Sequence, residues 1–218
     1  MPELPDLEIV REYLAPRLAG VAIRAARLRR PLIMRNLLGG EVEPRLLGRR
    51  FAEVRRRGKF LLLALDDGNT LVIHPMLAGR LRHGPPLERD RARDVLILSL
   101  SDGNELRYHD EAGMGKIYLT DDPSRAPGFA EQGPDAADPA LTLEVFRERL
   151  RRHSGEIKGI LVNQQVIAGI GNAYADEICW RAGVYPFRRR ANLDDAELER
   201  LYVALRDILN EALETLRR

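Results

Sequence analysis

The stretch 120–140, TDDPSRAPGFAEQGPDAADPA, constrains the fold more than any other, because the hydrophobic period changes across it. Its Pro, Gly, Ala and Asp content marks a linker. Before it, short β-rich runs recur near 21–29, 51–57, 59–66, 70–74, 94–101, 105–108 and 116–119. Asp67-Gly68 and Asp102-Gly103 stand between such runs and are hairpin turn signals. Short strands at this spacing predict a sandwich or barrel. One helix precedes them. Leu7, Val10, Leu14 and Leu18 repeat at helical spacing from Asp6 to about Leu18, Gly20 ends the segment, and Pro16 predicts a bend or an early finish.

Beyond the linker the pattern is helical. The spacing predicts helices over Thr142 to Arg152 and Glu156 to Ile167, then a third from Asn172 as N-cap to Ala182. Arg188–Asn192 reads as a loop. A last helix opens at Asp194, where Asp194-x-x-Glu197 resembles a capping box, and carries Leu198, Leu201, Leu205, Leu209, Ala212 and Leu216 along one face. The reading is an α+β chain. Residues 1–122 form a β-rich domain with an N-terminal helix, 123–140 a linker, and 141–218 a helical domain.

No apolar run approaches the ~20 residues of a membrane span, and no signal peptide precedes the first helix, so the expected location is intracellular with no membrane partner. The formal net charge is only +2, but the arginines cluster at 24–35, 49–57 and 188–190, which suggests a polyanion partner. Lysine is rare, confined to Lys59, Lys116 and Lys158. Cys179 is the only cysteine, so an intrachain disulfide and a Cys₄ zinc site are both impossible. Its setting, Glu177-Ile178-Cys179-Trp180, reads as a packed helix with a buried thiol.

Two stretches carry chemistry. The first is Met1-Pro2-Glu3-Leu4-Pro5-Asp6. Removal of Met1 would leave Pro2 with a free secondary amine. Such groups titrate near ~8, so a useful fraction is an unprotonated nucleophile at neutral pH, with the Glu3 carboxyl beside it. If Met1 stays, the Pro2 nitrogen is a tertiary amide and cannot attack. In the plainer reading, Pro2 and Pro5 stiffen the entry to the first helix, with Glu3 and Asp6 favourable at its N-terminus. The second stretch runs from Ile157 to Glu177, where Gly169-Ile170-Gly171 breaks a helical hairpin. Free N–H groups at that turn and at the following helix start predict an anion site that suits a phosphate backbone. A plain hairpin with glycine and asparagine caps is the alternative.

Taken together, three segments resemble the formamidopyrimidine-DNA glycosylase/endonuclease VIII family of base-excision repair enzymes. They are Pro2-Glu3-Leu4-Pro5, Arg57-Gly58-Lys59-Phe60-Leu61-Leu62, and Asn163-Gln164-Gln165 through Gly169-Ile170-Gly171-Asn172-Ala173-Tyr174-Ala175-Asp176-Glu177. The resemblance implies a β-sandwich bearing the N-terminal helix in the first domain, a helix–two-turn–helix DNA clamp in the second, duplex DNA with a damaged base or abasic site in the cleft, and a flipped nucleotide. It implies Pro2 as nucleophile at the sugar C1′, Glu3 as acid/base, Lys59 and Asn172 as phosphate holders, and strand cutting by β/δ-elimination. Lys158 resembles a residue near the damaged nucleotide, His74 a strand-end histidine close to the DNA backbone, and Gly171 part of the DNA-binding turn. No cofactor is expected, and the protein is expected to act as a monomer.

The departures are also specific. The family's intercalating Met, Arg and Phe align with Leu77, Gly113 and Met114. Leu77 and Met114 suit a wedge in a base stack, whereas Gly113 lacks the arginine's cation. Family members usually carry a C-terminal zinc finger. The sequence stops at Leu216-Arg217-Arg218, so neither the finger nor a metal site is expected within it, and a natural short form and a chain whose tail was cut read alike. A relative that binds damaged or distorted DNA with weak or no catalysis is the alternative function.

Overall fold

The computed structural model describes all residues 1–218. Two compact units divide them. One comprises Met1–Pro2, Val10–Arg56 and Phe60–Ala130; the other comprises Glu3–Ile9, Arg57–Lys59 and Glu131–Arg218. The start of the first helix and the Arg57-Gly58-Lys59 turn therefore count with the helical unit. No helix is long and apolar enough to cross a membrane.

Helix α1 (Leu4–Leu18) runs through Pro16 rather than stopping there. Proline removes one backbone donor, but Ala19 still donates to Ala15 O at 3.3 Å, and buried Leu14 and Leu18 hold the last turn in place. The β unit has two sheets. The first contains β1 (Ile23–Leu28), β6 (Gly79–Gly84), β7 (Asp94–Leu100) and β8 (Glu105–Asp110) in the order β1-β7-β8-β6. The second contains β2 (Met34–Asn36), β3 (Phe51–Arg57), β4 (Phe60–Leu65), β5 (Thr70–His74) and β9 (Lys116–Thr120) in the order β2-β9-β5-β4-β3. Continuous apolar runs such as Phe60-Leu61-Leu62-Leu63 bury both faces of the central strands.

The Asp-Gly pairs form the turns expected of them. In the β4–β5 hairpin Leu65 donates to Asn69 O at 2.8 Å, with Gly68 at φ +85°; Leu100 donates to Asn104 O at 2.9 Å around Gly103, also at φ +85°. Each loop uses three residues with glycine in the left-handed position, and the aspartate side chain accepts from the following asparagine N–H. Three elements had no clear sequence signal: β2, β6 and the five-residue α2 (Val42–Leu46). The first is only three residues long, and Gly-Arg-Leu-Arg-His-Gly in β6 is a polar edge strand without apolar alternation.

In the second unit α3 (Leu143–Arg151), α5 (Asn172–Ala182) and α6 (Asp195–Leu216) match expectation closely. The capping box is present, with Glu197 N donating to Asp194 Oδ1 at 2.8 Å and Asp194 N to Glu197 Oε2 at 3.0 Å. The apolar face of α6 is buried only through Leu209, and Leu216 is exposed.

The helix expected over 156–167 is instead a single short α4 (Ile157–Leu161) followed by tight turns. Two side chains divert it. Asn163 Oδ1 accepts from Gln165 N at 3.0 Å. The Gln164 amide donates to Val162 O and Ile170 O, both at 2.7 Å, and accepts from Gly169 N at 2.9 Å. Those bonds offer the backbone a better alternative than helix, and Val166, Ile167 and Ile170 turn inward to the same core as α3, α5 and α6.

Candidate active site at the start of helix α5

Glu3 is the N-cap residue of α1, and its own backbone N–H donates to Asp6 Oδ2 at 2.8 Å. Leu4 N donates to Gly169 O at 3.0 Å, which ties this end of the chain to the glycine turn before α5. Gly169 has φ +105°, and a Cβ there would lie 2.6 Å from Leu4 Cδ1, so the turn needs glycine for both conformation and space.

The Glu3 side chain reaches away from its own helix to the start of α5. Its Oε2 accepts from Gly171 N at 2.5 Å and Tyr174 N at 3.4 Å, and its Oε1 accepts from Ala173 N at 3.0 Å. Gly171 is the N-cap of α5 and has no side chain to offer, so Glu3 supplies the capping oxygens from 168 residues away. Two expectations are corrected here. Asn172 is the first helical residue, not the N-cap, and the backbone N–H groups expected to be free at the helix start are taken by the Glu3 carboxylate. A helix N-terminus carries partial positive charge, so the carboxylate gains from the site and is fixed in direction by it.

Lys59 lies against the same glycine. A Cβ on Gly171 would sit 2.4 Å from Glu3 Cδ and 2.8 Å from Lys59 Nζ. Gly171 has an ordinary φ of −122°, so glycine is required here for close approach alone. Glu3 and Lys59 are each only 4% exposed. Burial drives the Lys59 pKa down, and the nearby Glu3 charge opposes this less strongly. The turn that delivers Lys59 is itself braced: Gly58 N donates to Asp135 Oδ2 at 2.7 Å, and Gly58 has φ +54° with the Gln132 side chain against its Cα. Beside the helix start, burial and the charges of Asp6 and Glu3 push the Tyr174 hydroxyl up to about 12.

The remaining predicted residues stand elsewhere. Pro2 is peptide-bonded to Glu3. Asn172 is exposed. Lys158 is ion-paired with Asp176 on α5, at 2.7 Å. His74 ends β5; its Nδ1 accepts from Met76 N at 3.1 Å, and its ring packs edge-on to Phe60. Leu77 and Met114 sit on loops with 55% and 42% of their surface exposed, which is high for large apolar side chains. Cys179 is buried and its thiol is pushed up to about 11, as an inert packing group should be. Its neighbour Trp180 departs from the packed-helix expectation, being 79% exposed. The bracing residues Asp135 and Gln132 carried no signal in one sequence, since each acts only through the fold.

Comparisons with known proteins agree along the whole chain. Residues 1–117 match the model of the formamidopyrimidine-DNA glycosylase N-terminal domain, and 132–217 match that of the formamidopyrimidine-DNA glycosylase H2TH domain. A formamidopyrimidine-DNA glycosylase of Heliobacterium modesticaldum is 40% identical over 219 residues, covering 98% of this chain and 79% of its own. The crystal structure of the MutM (Fpg) protein from Thermus thermophilus superposes with a TM-score of 0.86 at 34% identity, covering 98% of this chain and 76% of that one. The Lactococcus lactis enzyme, non-covalently bound to DNA containing an abasic site, gives a TM-score of 0.88 at 28% identity over 97% of this chain and 82% of that one. With one model spanning more than half of its residues and a relative at 40% identity over nearly all of them, the chain belongs to the formamidopyrimidine-DNA glycosylase family.

Proposed function

We propose that this chain removes damaged, chiefly oxidised, bases from duplex DNA and cuts the strand at the resulting abasic site, with Pro2 as nucleophile. The observation that carries the reading is the Glu3 carboxylate, buried, held by three backbone N–H groups and set beside Lys59, one peptide bond from Pro2.

With Met1 removed, Pro2 carries a secondary amine whose lone pair attacks C1′ of the sugar. The N–C1′ bond forms as the C1′–base bond breaks, and the base leaves with the bonding pair. The proton released from the proline nitrogen passes to Glu3. Glu3 returns it to the ring oxygen as the C1′–O4′ bond opens, leaving an iminium. Loss of a C2′ proton then expels the 3′ phosphate, a second elimination expels the 5′ phosphate, and water releases Pro2. Lys59 is the cation that holds a flanking phosphate, with exposed Asn172 as a second contact and Lys158 available once it leaves Asp176. His74 and the Gly171 turn complete the DNA-binding surface in this reading, and Leu77 and Met114 fill the space of the displaced base. Residues 1–122 act as the catalytic domain, 123–140 as linker and 141–218 as the DNA clamp, in a monomer working in the cytoplasm on chromosomal DNA.

The test is borohydride trapping on a duplex with one abasic site, after mass spectrometry confirms loss of Met1. An adduct mapping to Pro2, strongly reduced in Glu3→Gln, is expected. Binding without any adduct from the processed protein would sink the lyase mechanism and leave a DNA-binding relative.

A further inference from the structure

Gly79 follows the loop that carries Leu77, and Gly115 closes the loop that carries Met114. Space, not conformation, demands glycine at both positions. A Cβ on Gly79 would lie 2.0 Å from the Tyr108 hydroxyl and 2.6 Å from Pro75 O. A Cβ on Gly115 would lie 1.9 Å from the same hydroxyl and 2.9 Å from Asp110 Oδ2. Both loops thus close on one side chain from β8.

Two further observations show that this junction is not simply well packed. Tyr108 is 1% exposed, yet its hydroxyl has no hydrogen-bond partner. A phenylalanine would fill the slot without stranding a polar group, so packing alone does not account for the tyrosine. In the Leu77 loop, Met76 holds φ +50°, a left-handed angle that a non-glycine residue adopts only under constraint. The Met114 loop is ordered by fully buried Asp110, whose Oδ1 accepts from Ala112 N at 3.1 Å and Gly113 N at 3.0 Å, and whose Oδ2 accepts from Gly115 N at 2.7 Å. Burial keeps the Tyr108 hydroxyl protonated, and therefore a donor, throughout the working range of pH.

We propose that Tyr108 is a positioning residue shared by the two loops, and that its hydroxyl donates to one of the acceptors beside it, Pro75 O or Asp110 Oδ2, when Leu77 and Met114 enter a base stack. The inference rests on the DNA-repair reading above. It makes the two wedge side chains move together, because each loop bears on the same hydroxyl.

The test uses full-length protein on duplexes with or without a tetrahydrofuran abasic analogue, with 2-aminopurine opposite the analogue to report insertion. Wild type, Tyr108→Phe and Leu77→Ala are compared, with thermal melting in parallel. Tyr108→Phe is expected to melt at the same or a higher temperature and to keep its affinity for undamaged duplex. Its affinity for the abasic duplex should fall about tenfold, as for one lost hydrogen bond, with a weaker 2-aminopurine signal. If Tyr108→Phe matches wild type on the abasic duplex while Leu77→Ala loses the signal, this proposal alone is overturned. The same holds if Tyr108→Phe melts lower and both affinities fall together, since Tyr108 would then be a packing residue. A wild-type protein with no preference for the abasic duplex would take down the DNA-repair reading as well.

Discussion

At Lys59 the proposed phosphate contact works against folding. Burial lowers its pKa more than the Glu3 charge restores it, so the folded protein disfavours the ammonium relative to the unfolded chain. The unfolded state therefore binds more protons between the depressed folded pKa and the ordinary lysine value near ~10.4, and stability rises with pH across that window. Lys59→Met is accordingly expected to melt above wild type at neutral pH, with the gap closing as pH climbs toward the ordinary lysine value. The same variant should trap abasic-site DNA poorly. Melting curves across pH check the first outcome and borohydride trapping the second; a variant less stable than wild type at neutral pH would contradict the argument. Much of this was legible: lysine is rare in the chain, and Arg57-Gly58-Lys59-Phe60 is a specific string. The burial was not, because Gln132 and Asp135, which brace the Arg57-Gly58-Lys59 turn, lie more than seventy residues further along.

Among the elements, α5 is unusual in taking its N-terminal cap from the other end of the chain. Gly171→Ala tests how tightly that arrangement is set. Its φ of −122° suits alanine, so any effect comes from the methyl group, which would meet Glu3 Cδ at 2.4 Å and Lys59 Nζ at 2.8 Å. Overpacking of this kind costs about 1–3 kcal/mol. Displacement of Glu3 by even an ångström is expected to lower the trapping rate about a hundredfold. Activity should therefore fall far more than melting temperature; a variant with wild-type trapping would show that Glu3 has room to spare. The sequence identified the glycine turn and a helix after it but assigned the cap to Asn172 and the anion to DNA. Nothing local to 169–174 reveals that a carboxylate at position 3 arrives there. The opposite holds for the Asp-Gly hairpins, whose geometry depends only on the residues within them, and both were legible outright. The helix read over 156–167 failed for an intermediate reason: apolar spacing favoured it, and the side-chain amides of Asn163 and Gln164 outcompeted it.

At the scale of the whole molecule, the clustered arginines are a poorer guide to DNA binding than they looked. Arg27 and Arg29 pair with Asp90, Arg49 with Asp67 and Arg188 with Glu197; outside the clusters, Arg181 grips Glu211 through both terminal nitrogens. A cation already neutralised by a carboxylate releases few counterions when phosphate approaches, so the net charge of +2 understates, and the clusters overstate, the electrostatic footprint. Lys59 differs in its burial: only 4% of it is exposed, and in the proposed reading an incoming phosphate restores the solvation that burial removes. Binding to abasic duplex should weaken linearly in log–log form as salt rises, with a slope of about −0.9 for each phosphate neutralised. Lys59→Met should make that slope shallower by about one unit, whereas Arg181→Ala should leave it unchanged. Lys158 falls between the two, because DNA must first draw it from Asp176; Asp176→Asn is expected to raise affinity at low salt and to steepen the slope. Salt titrations of the four proteins separate cations that meet phosphate from those that only balance neighbouring acids. An Arg181→Ala variant that lost slope while Lys59→Met kept it would place the DNA on a different face from the one Glu3 and Lys59 define.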